Sequence, residues 1–152
     1  MNRIQTLAIA TVALACSISC PAQEKGYWRP ASTTAISITG DIAIADNRTT
    51  INFTAFPSAQ IRALTTAELT AAFDADPNTP GNGHLYRLSV PADKRFLHKN
   101  TLCGTDDTQW MATYVSGKTL EVTFFSGSDA PVFTFDALTN STNRCGAFIY
   151  GR

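Results

Sequence analysis

Alternating apolar and polar positions predict that the first half of the chain forms β-strands. Isoleucine recurs at every second position at 36 and 38 and again at 42 and 44, with Gly40-Asp41 between the two pairs. A period of two with β-branched residues is typical of a half-buried strand. The turn-forming residues 46–48 follow, and the alternation resumes from residue 50. Residues 35–56 are therefore predicted to form a β-hairpin with one buried face.

The second half of the chain predicts further strands and one short helix. Thr65 followed by Glu68 has the spacing of a capping box, so a helix is predicted over 65–73, ending before a loop that is rich in Asp, Pro, Asn and Gly. A hairpin is predicted around Ser116-Gly117. Strands are predicted at 84–90, 109–115, 120–124, 132–135 and 147–150, with a short helix or loop over 136–144.

These elements predict a single mainly β domain. Seven or so short strands with one or two short helices fit a small antiparallel barrel or sandwich on which a helix packs. The chain has 152 residues, which suits one buried core. No linker or internal repeat divides it.

The first 22 residues have the pattern of an export signal. Arg3 is their only charged residue, residues 4–15 are apolar, and small residues follow. An apolar centre of about 12 residues is shorter than the span of about 20 that crosses a membrane. We predict cleavage after Ala22 and an exported domain over 23–152, with an uncleaved anchor as the weaker alternative.

The four cysteines divide between the leader and the exported domain. Cys16 and Cys20 follow imperfect lipid-attachment sequences, so a lipid on either of them is an alternative that would tether the protein to a membrane. Cys103 and Cys145 remain after export and are predicted to form a disulfide in an oxidising compartment. Free thiols or metal ligands are less favoured, because two isolated thiols without a nearby His make a poor zinc site. The predicted location is periplasmic or extracellular.

The charge composition excludes some classes of partner. The chain has 12 basic and 12 acidic residues, and charged residues make up only 16% of it. A nucleic-acid-binding surface needs a basic excess, so nucleic acid is not expected as a partner. Membrane contact is expected only through a lipid or an uncleaved leader.

One loop has the residue types of a calcium site. Asp74, Asp76 and Asn78 offer oxygens at alternate positions after the predicted helix. The pattern departs from a calcium-binding loop at Thr79, where Gly is needed, and at Leu85, where a bidentate Glu belongs. A solvated turn is the favoured interpretation, a weak calcium site is the alternative, and no other cofactor is indicated.

Two further segments are candidate contact surfaces. Lys94, Arg95 and Lys99, together with His98, could form a cationic patch for an anionic partner, but a solvated edge beside buried Phe96 and Leu97 is the favoured interpretation. The adjacent pair Phe124 and Phe125 would face opposite sides of a strand, so one ring is exposed unless a helix or partner covers it. A core on both sides of the strand is the favoured interpretation, and an exposed ring that forms a binding edge is the alternative.

Catalytic chemistry has little support in the sequence. Only His84 and His98 could serve as imidazole bases, and the Gly-x-Ser-x-Gly pattern of a nucleophile elbow is missing from the sequence. The adjacent carboxylates Asp106 and Asp107 are expected in a solvated loop. A secreted hydrolase is therefore the least favoured function, and the protein is expected not to be an enzyme.

The last third of the chain resembles small exported bacterial proteins of uncharacterised function. The resemblance rests on the pairs Cys103-Gly104 and Cys145-Gly146 and on the aromatic strands that follow them. It implies an envelope location and a disulfide but no activity. We therefore expect an exported domain that binds a protein or envelope partner. The alternative is a carrier that holds a small apolar ligand inside the barrel.

Overall fold

Residues 23–152, which the computed structural model describes, form a closed barrel of eight antiparallel strands in chain order. The predicted mainly β fold, a small barrel with short helices, is confirmed. The predicted leader and the lipidation sites Cys16 and Cys20 lie outside the described residues. The strands are β1 (Gly26–Pro30), β2 (Ile42–Ile44), β3 (Arg48–Ile51), β4 (Thr54–Ala63), β5 (His84–Val90), β6 (Thr108–Ser116), β7 (Thr119–Ser126) and β8 (Arg144–Gly151), and the helices are α1 (Thr66–Phe73) and α2 (Phe135–Thr139).

The first strand closes the barrel. Residues 26–28 of β1 pair with β2, and Arg29 and Pro30 pair with the end of β8. Proline lacks a backbone donor and is tolerated at the end of a strand. Closure gives most strands a partner on both sides, which limits the exposed edges through which β-proteins aggregate.

Large side chains fill the inside of the barrel. The rings of Phe124 and Phe148 meet edge to face with their centroids 5.4 Å apart. Buried hydroxyls are paired, since Thr39 and Tyr150 lie 2.6 Å apart. The largest of these side chains, each less than 2% exposed, are Trp28, Tyr86, Met111, Phe124, Phe148 and Tyr150. The interior is therefore a packed core.

A second core lies outside the barrel, between strands β5–β7 and the two helices. Helix α1 begins at the predicted capping box, where the Thr65 hydroxyl accepts a hydrogen bond from the Glu68 N–H and the Glu68 carboxylate accepts one from the Thr65 N–H. Its buried face covers the outward side chains of β5–β7. This outer core includes Leu69, Leu85, Trp110, Ala112, Tyr114, Phe125, Phe133 and Leu138. These strands are consequently buried on both faces.

The predicted hairpin over residues 35–56 is partly wrong. Residues 35–39 form a short π-helical turn closed by a hydrogen bond from the Gly40 N–H to the Ala35 carbonyl, at 2.8 Å. The Ser32 hydroxyl accepts from the Ala35 N–H, so a local cap outweighs the β-propensity of the two isoleucines. The predicted turn at 46–48 does join two strands, but a second turn at residues 52–53 starts β4, which the sequence did not predict beyond residue 56.

The predicted strand over 132–135 is also wrong. Helix α2 begins at Phe135, and the Thr134 hydroxyl caps it by accepting a hydrogen bond from the Ala137 N–H. Phe133 points into the outer core, with its ring 5.9 Å from that of Phe125. The apolar residues that suggested a strand therefore anchor a helix N-terminus.

The predicted disulfide is confirmed. Cys103 and Cys145 are bonded, with their Cα atoms 5.0 Å apart. The bond links the β5–β6 connection to the start of β8 at one end of the barrel. In residues 23–152, no helix has both the length and the apolar character that crossing a membrane requires.

Candidate functional site

One end of the barrel, called the rim here, carries the connections β1–β2, β3–β4, β5–β6 and β7–β8. The first three of these connections are bonded to one another. The Asn52 N–H donates to the Asp41 carbonyl at 3.0 Å, and the Asn100 side-chain amide donates to the Ser37 carbonyl at 3.3 Å. His98 Nδ1 lies 3.0 Å from the same Ser37 oxygen. The three connections therefore form one continuous surface.

Gly40 permits this close approach. A Cβ atom at this position would lie 3.3 Å from Asn52 Oδ1 and 3.3 Å from Leu97 Cδ1. Its φ of +59° also falls in the left-handed region that favours glycine. A side chain at residue 40 would push the three connections apart.

The rim concentrates unusual backbone conformations. Apart from Asp74, which ends α1, the non-glycine residues with positive φ in the described part of the chain are Asn52, Phe53, His98 and Lys99. Asn tolerates this conformation, but Phe at φ 65° is strained, because the second central position of such a tight turn favours Gly. Strain of this kind costs about 1–3 kcal/mol and is often kept for function.

Phe53 is the most exposed large apolar side chain in the described part of the chain, at 82%. Ile36, which lies on the neighbouring β1–β2 connection, is 55% exposed. Neither side chain contributes to the inner or the outer core. The strain at Phe53 therefore holds an apolar ring in water instead of packing it.

The neighbouring β5–β6 connection carries cationic side chains together with the carboxylates of Asp93, Asp106 and Asp107. Lys94 Nζ lies 5.8 Å from the ring centre of buried Phe96, whose own ring lies 6.1 Å from that of Phe56. Arg95 is exposed and donates to the Ala92 carbonyl. Phe96 thus anchors the segment, as predicted. We call Ile36, Phe53, Lys94, Arg95, His98 and Lys99 the rim surface.

The sequence did not predict Phe53 as a surface residue, because it continued the alternation of the strand around it. The available signal was Asn52, a residue that favours left-handed turns, directly before it. The predicted cationic residues 94, 95 and 99 do lie on one connection. Their role as a contact surface stays a prediction.

Phe124 and Phe125 are both buried, as the favoured interpretation of a core on both sides of the strand predicts, and the alternative of an exposed ring is wrong. Phe124 is 0% exposed inside the barrel, and Phe125 is 1% exposed in the outer core. The two rings do face opposite sides of β7, but α2 and Phe133 cover the outer one. The binding edge that was predicted at these residues is therefore buried.

The predicted calcium loop is held by its own hydrogen bonds. One oxygen of Asp76 accepts from the Asn78 backbone N–H at 2.8 Å and from its side-chain amide, and the other accepts from the Thr79 hydroxyl. The backbone bond from Asn78 is the main cause that lowers the pKa of Asp76. Within residues 23–152 no cluster of three or more His, Cys, Asp or Glu side chains is placed to hold a metal ion. Calcium binding by Asp74, Asp76 and Asn78 stays a prediction.

A buried acid that the sequence did not indicate lies at the opposite end of the barrel. The side chain of Glu24 is 5% exposed, and one of its oxygens is 2.5 Å from His84 Nδ1. Its other oxygen accepts a hydrogen bond from the Thr113 hydroxyl. Burial of Tyr86 raises the pKa of its hydroxyl, and the nearby charge of Glu24 adds to this. No sequence pattern surrounds Glu24, which lies two residues after the predicted leader.

The contacts of Glu24 are those of a structural group. The Thr113 hydroxyl donates to the carboxylate and also accepts from the His84 backbone N–H, so it is engaged with the backbone rather than with the imidazole. The Trp28 indole N–H donates to the Glu24 carbonyl at 2.8 Å. His98, the other imidazole, contacts the carbonyl of Ser37. Neither histidine faces a nucleophile among the hydrogen bonds of the described residues.

Open grooves also mark the surface. The one beside α2 has a volume of about 320 Å³, with Phe125 and Leu138 at its floor and Asp129 and Asn143 at its edge. Comparison with models of protein families, with curated proteins and with solved structures finds no match. The resemblance of the last third to exported bacterial proteins accordingly stays a prediction.

Proposed function

We propose that this protein is an exported, non-enzymatic domain that binds a component of the cell envelope through the rim surface. The observation that supports it most is Phe53, an aromatic ring held at 82% exposure by a strained turn. Exposed aromatic side chains supply much of the energy at binding surfaces. A strained turn that leaves the ring unpacked does not stabilise the fold, and this favours a role of the ring in binding a partner.

The packing of the barrel supports contact at the surface over carriage inside. A carrier of small apolar ligands needs an internal volume of about 300 Å³ or more. Here Trp28, Tyr86 and Phe148 meet within a single inner core, and each is at most 1% exposed. Such an interior would have to empty before a ligand could enter.

Export is supported by the disulfide, because such bonds persist mainly in oxidising compartments. A leader over residues 1–22 is consistent with it. Cleavage after Ala22 would place Glu24 near the new N-terminus, where its carboxylate contacts His84 and Thr113 at the end of the barrel.

The proposal is tested by sedimenting the exported, purified protein with isolated cell envelopes. Phe53→Gly removes the ring and gives the turn its preferred residue, so this variant is expected to fold. We expect it to lower the bound fraction at least about tenfold, because the variant loses the favourable burial of a large apolar side chain on binding.

The matched control is Ile61→Ser. Ile61 lies on β4, beyond its pairing with β3 and towards the other end of the barrel, and is 52% exposed. Its substitution should leave the bound fraction unchanged. Equal binding by Phe53→Gly and the unchanged protein would overturn the proposal.

A further inference from the structure

A groove at the end of the barrel opposite the rim is lined by carboxylates. It has a volume of about 310 Å³ and lies between the loop that follows α1 and the turn that joins β6 to β7. Asp74, Asp76 and Glu121 line it, and none of its lining residues is lysine, arginine or histidine. We call it the acidic groove. It shares no residue with the rim surface.

The carboxylate of Glu121 lacks a compensating charge. It is half-buried, and it takes no part in the ion pairs of residues 23–152. Burial is the only cause that raises its pKa, so neither Lys118, at the neighbouring turn, nor Arg144 of β8 offsets its lost hydration. Arg144 instead donates to the Ala72 carbonyl at 2.7 Å and to the Thr123 hydroxyl. A half-buried carboxylate without a partner destabilises the fold, and a bound cation would relieve this effect.

The hydroxyl of Tyr114 is a second unsatisfied group in the acidic groove. Tyr114 is only 7% exposed, yet its hydroxyl has no partner among the hydrogen bonds of residues 23–152 and is not enclosed, so it is open to the groove that it lines. A smaller groove of about 130 Å³ adjoins the first at Asp76 and Tyr114. A Cβ atom at Gly81 in this smaller groove would lie 2.9 Å from the hydroxyl oxygen, so the glycine leaves room for a ligand atom there.

We propose that the acidic groove binds a small organic cation that carries more than one alkylammonium group. The ammonium N–H groups would donate to the carboxylates and to the Tyr114 hydroxyl oxygen, which is free to accept. The rings of Phe73 and Tyr114 stack with their centroids 5.9 Å apart, and both line the groove, so they offer aromatic surface that attracts cations. This site lies apart from the rim surface and does not rest on the proposed function.

The arrangement of the carboxylates favours an elongated organic cation over a metal ion. Calcium needs about six to eight oxygens around one point. Within residues 23–152 the carboxylates do not converge in a cluster of three that could hold a metal ion, and Asp76 already accepts hydrogen bonds from Asn78 and Thr79. Separated carboxylates match a flexible chain with several charges. Asp74 and Asp76, which the sequence offered as calcium ligands, would therefore contact an amine.

The test is isothermal titration calorimetry of the exported, purified protein with spermidine, with a trilysine peptide and with calcium chloride. We expect an amine to bind, and the tighter of the two amines shows whether the ammonium groups come from a free polyamine or from lysine side chains. Tyr114→Phe keeps the stack on Phe73 and removes only an unpaired hydroxyl, so it should fold and weaken binding about tenfold. Glu121→Gln should weaken binding about fivefold or more.

The matched control is Asp129→Asn, which removes one exposed carboxylate beside α2, outside the acidic groove. It should bind the amines as the unchanged protein does. If it weakens binding as much as Glu121→Gln, the amines respond only to the net charge of the protein and the proposal fails. It also fails if neither amine binds, if calcium alone binds, or if Tyr114→Phe and Glu121→Gln bind as tightly as the unchanged protein.

Discussion

The two halves of the barrel differ in what covers their outer face. Strands β5–β7 carry α1 and α2 on their outside and are buried on both faces, so β6 is buried at every position from Trp110 to Val115. Strands β2 and β3 have no helix over them, and buried and more exposed residues alternate along them. We call β5–β7 the covered half and β2 and β3 the bare half. The covered half packs on both the inner and the outer core, whereas the bare half packs on the inner core only.

This difference teaches that the packing outside the barrel is concentrated on one half, whereas the strained, exposed turn of Phe53 lies on the other. The helices add a second layer of packing to the covered half. A substitution on an outward position should therefore have very different effects in the two halves.

The largest effect is expected from Phe125→Ala. It would leave a cavity in the outer core beside Phe133 and lower the free energy of unfolding by about 3–5 kcal/mol. Thr50→Ala, on the outward face of β3, should change it by less than about 0.5 kcal/mol. Urea denaturation of both variants measures the two values, and similar values would mean that the helices do not seal the outer core.

The next effect is expected from loss of the disulfide. Replacing both Cys103 and Cys145 with Ala removes the restraint between the β5–β6 connection and β8. We expect the free energy of unfolding to fall by about 2–4 kcal/mol, with little change in the folded structure. Denaturation with and without a reductant checks this, and the reductant should leave the double variant unaffected.

A gain in stability is expected from Phe53→Gly in the bare half. Relief of the positive φ should raise the free energy of unfolding by about 1 kcal/mol, because the cost of the strained residue exceeds the added chain entropy of Gly. Phe53→Ala keeps the strain and serves as the control that gains nothing. A loss of stability in Phe53→Gly would show that the ring packs against the rim.

The smallest effect concerns pH. Burial on the outward face of β7 raises the pKa of Glu121, whereas hydrogen bonding from Arg62 lowers the pKa of Glu68. The contribution of Glu121 is greatest below its unfolded pKa and is lost as pH rises through the folded value. The contribution of Glu68 is present above its unfolded pKa and is lost as pH falls through the folded value.

Glu121→Gln should therefore raise stability at neutral pH by less than about 1 kcal/mol, because partial exposure screens the carboxylate. Arg62→Gln should lower stability at neutral pH by a similar amount and less in acid. Urea midpoints measured from about pH 3 to pH 7 distinguish the two signs. If both variants changed the stability at neutral pH in the same direction, burial of Glu121 and the hydrogen bond from Arg62 to Glu68 would not be the causes of the two pKa shifts.

Local patterns predicted those parts of the fold that local interactions decide. The capping box of Thr65 and Glu68 gave the start of α1, and Gly117 gave the tight turn between β6 and β7. The sequence did not predict that isoleucines 36 and 38 lie in a helical turn, because residues 31–34 directly before this turn are held by hydrogen bonds to Ala147 and Ile149 of β8. It also could not predict the second core, since Phe73 of α1, whose ring stacks on that of Tyr114, lies far from β6 in sequence.

The candidate site was predictable only in part. A cluster of cations over 94–99 can be read directly from the chain, but the joining of its connection to β1–β2, and of β1–β2 to β3–β4, depends on hydrogen bonds between residues far apart in sequence. Phe53 itself fits the strand alternation, and only the φ of its backbone reveals a turn. Glu24 was beyond prediction because its partners lie at positions 84 and 113.

The buried carboxylate of Glu24 has a consequence for how the mature chain begins. Removal of the predicted leader after Ala22 would leave Gln23 as the single residue outside the barrel wall. Aminopeptidases work on loose chain ends, and a carboxylate held by an imidazole and a hydroxyl is not loose. The finished protein should therefore keep a uniform first residue in an environment full of proteases.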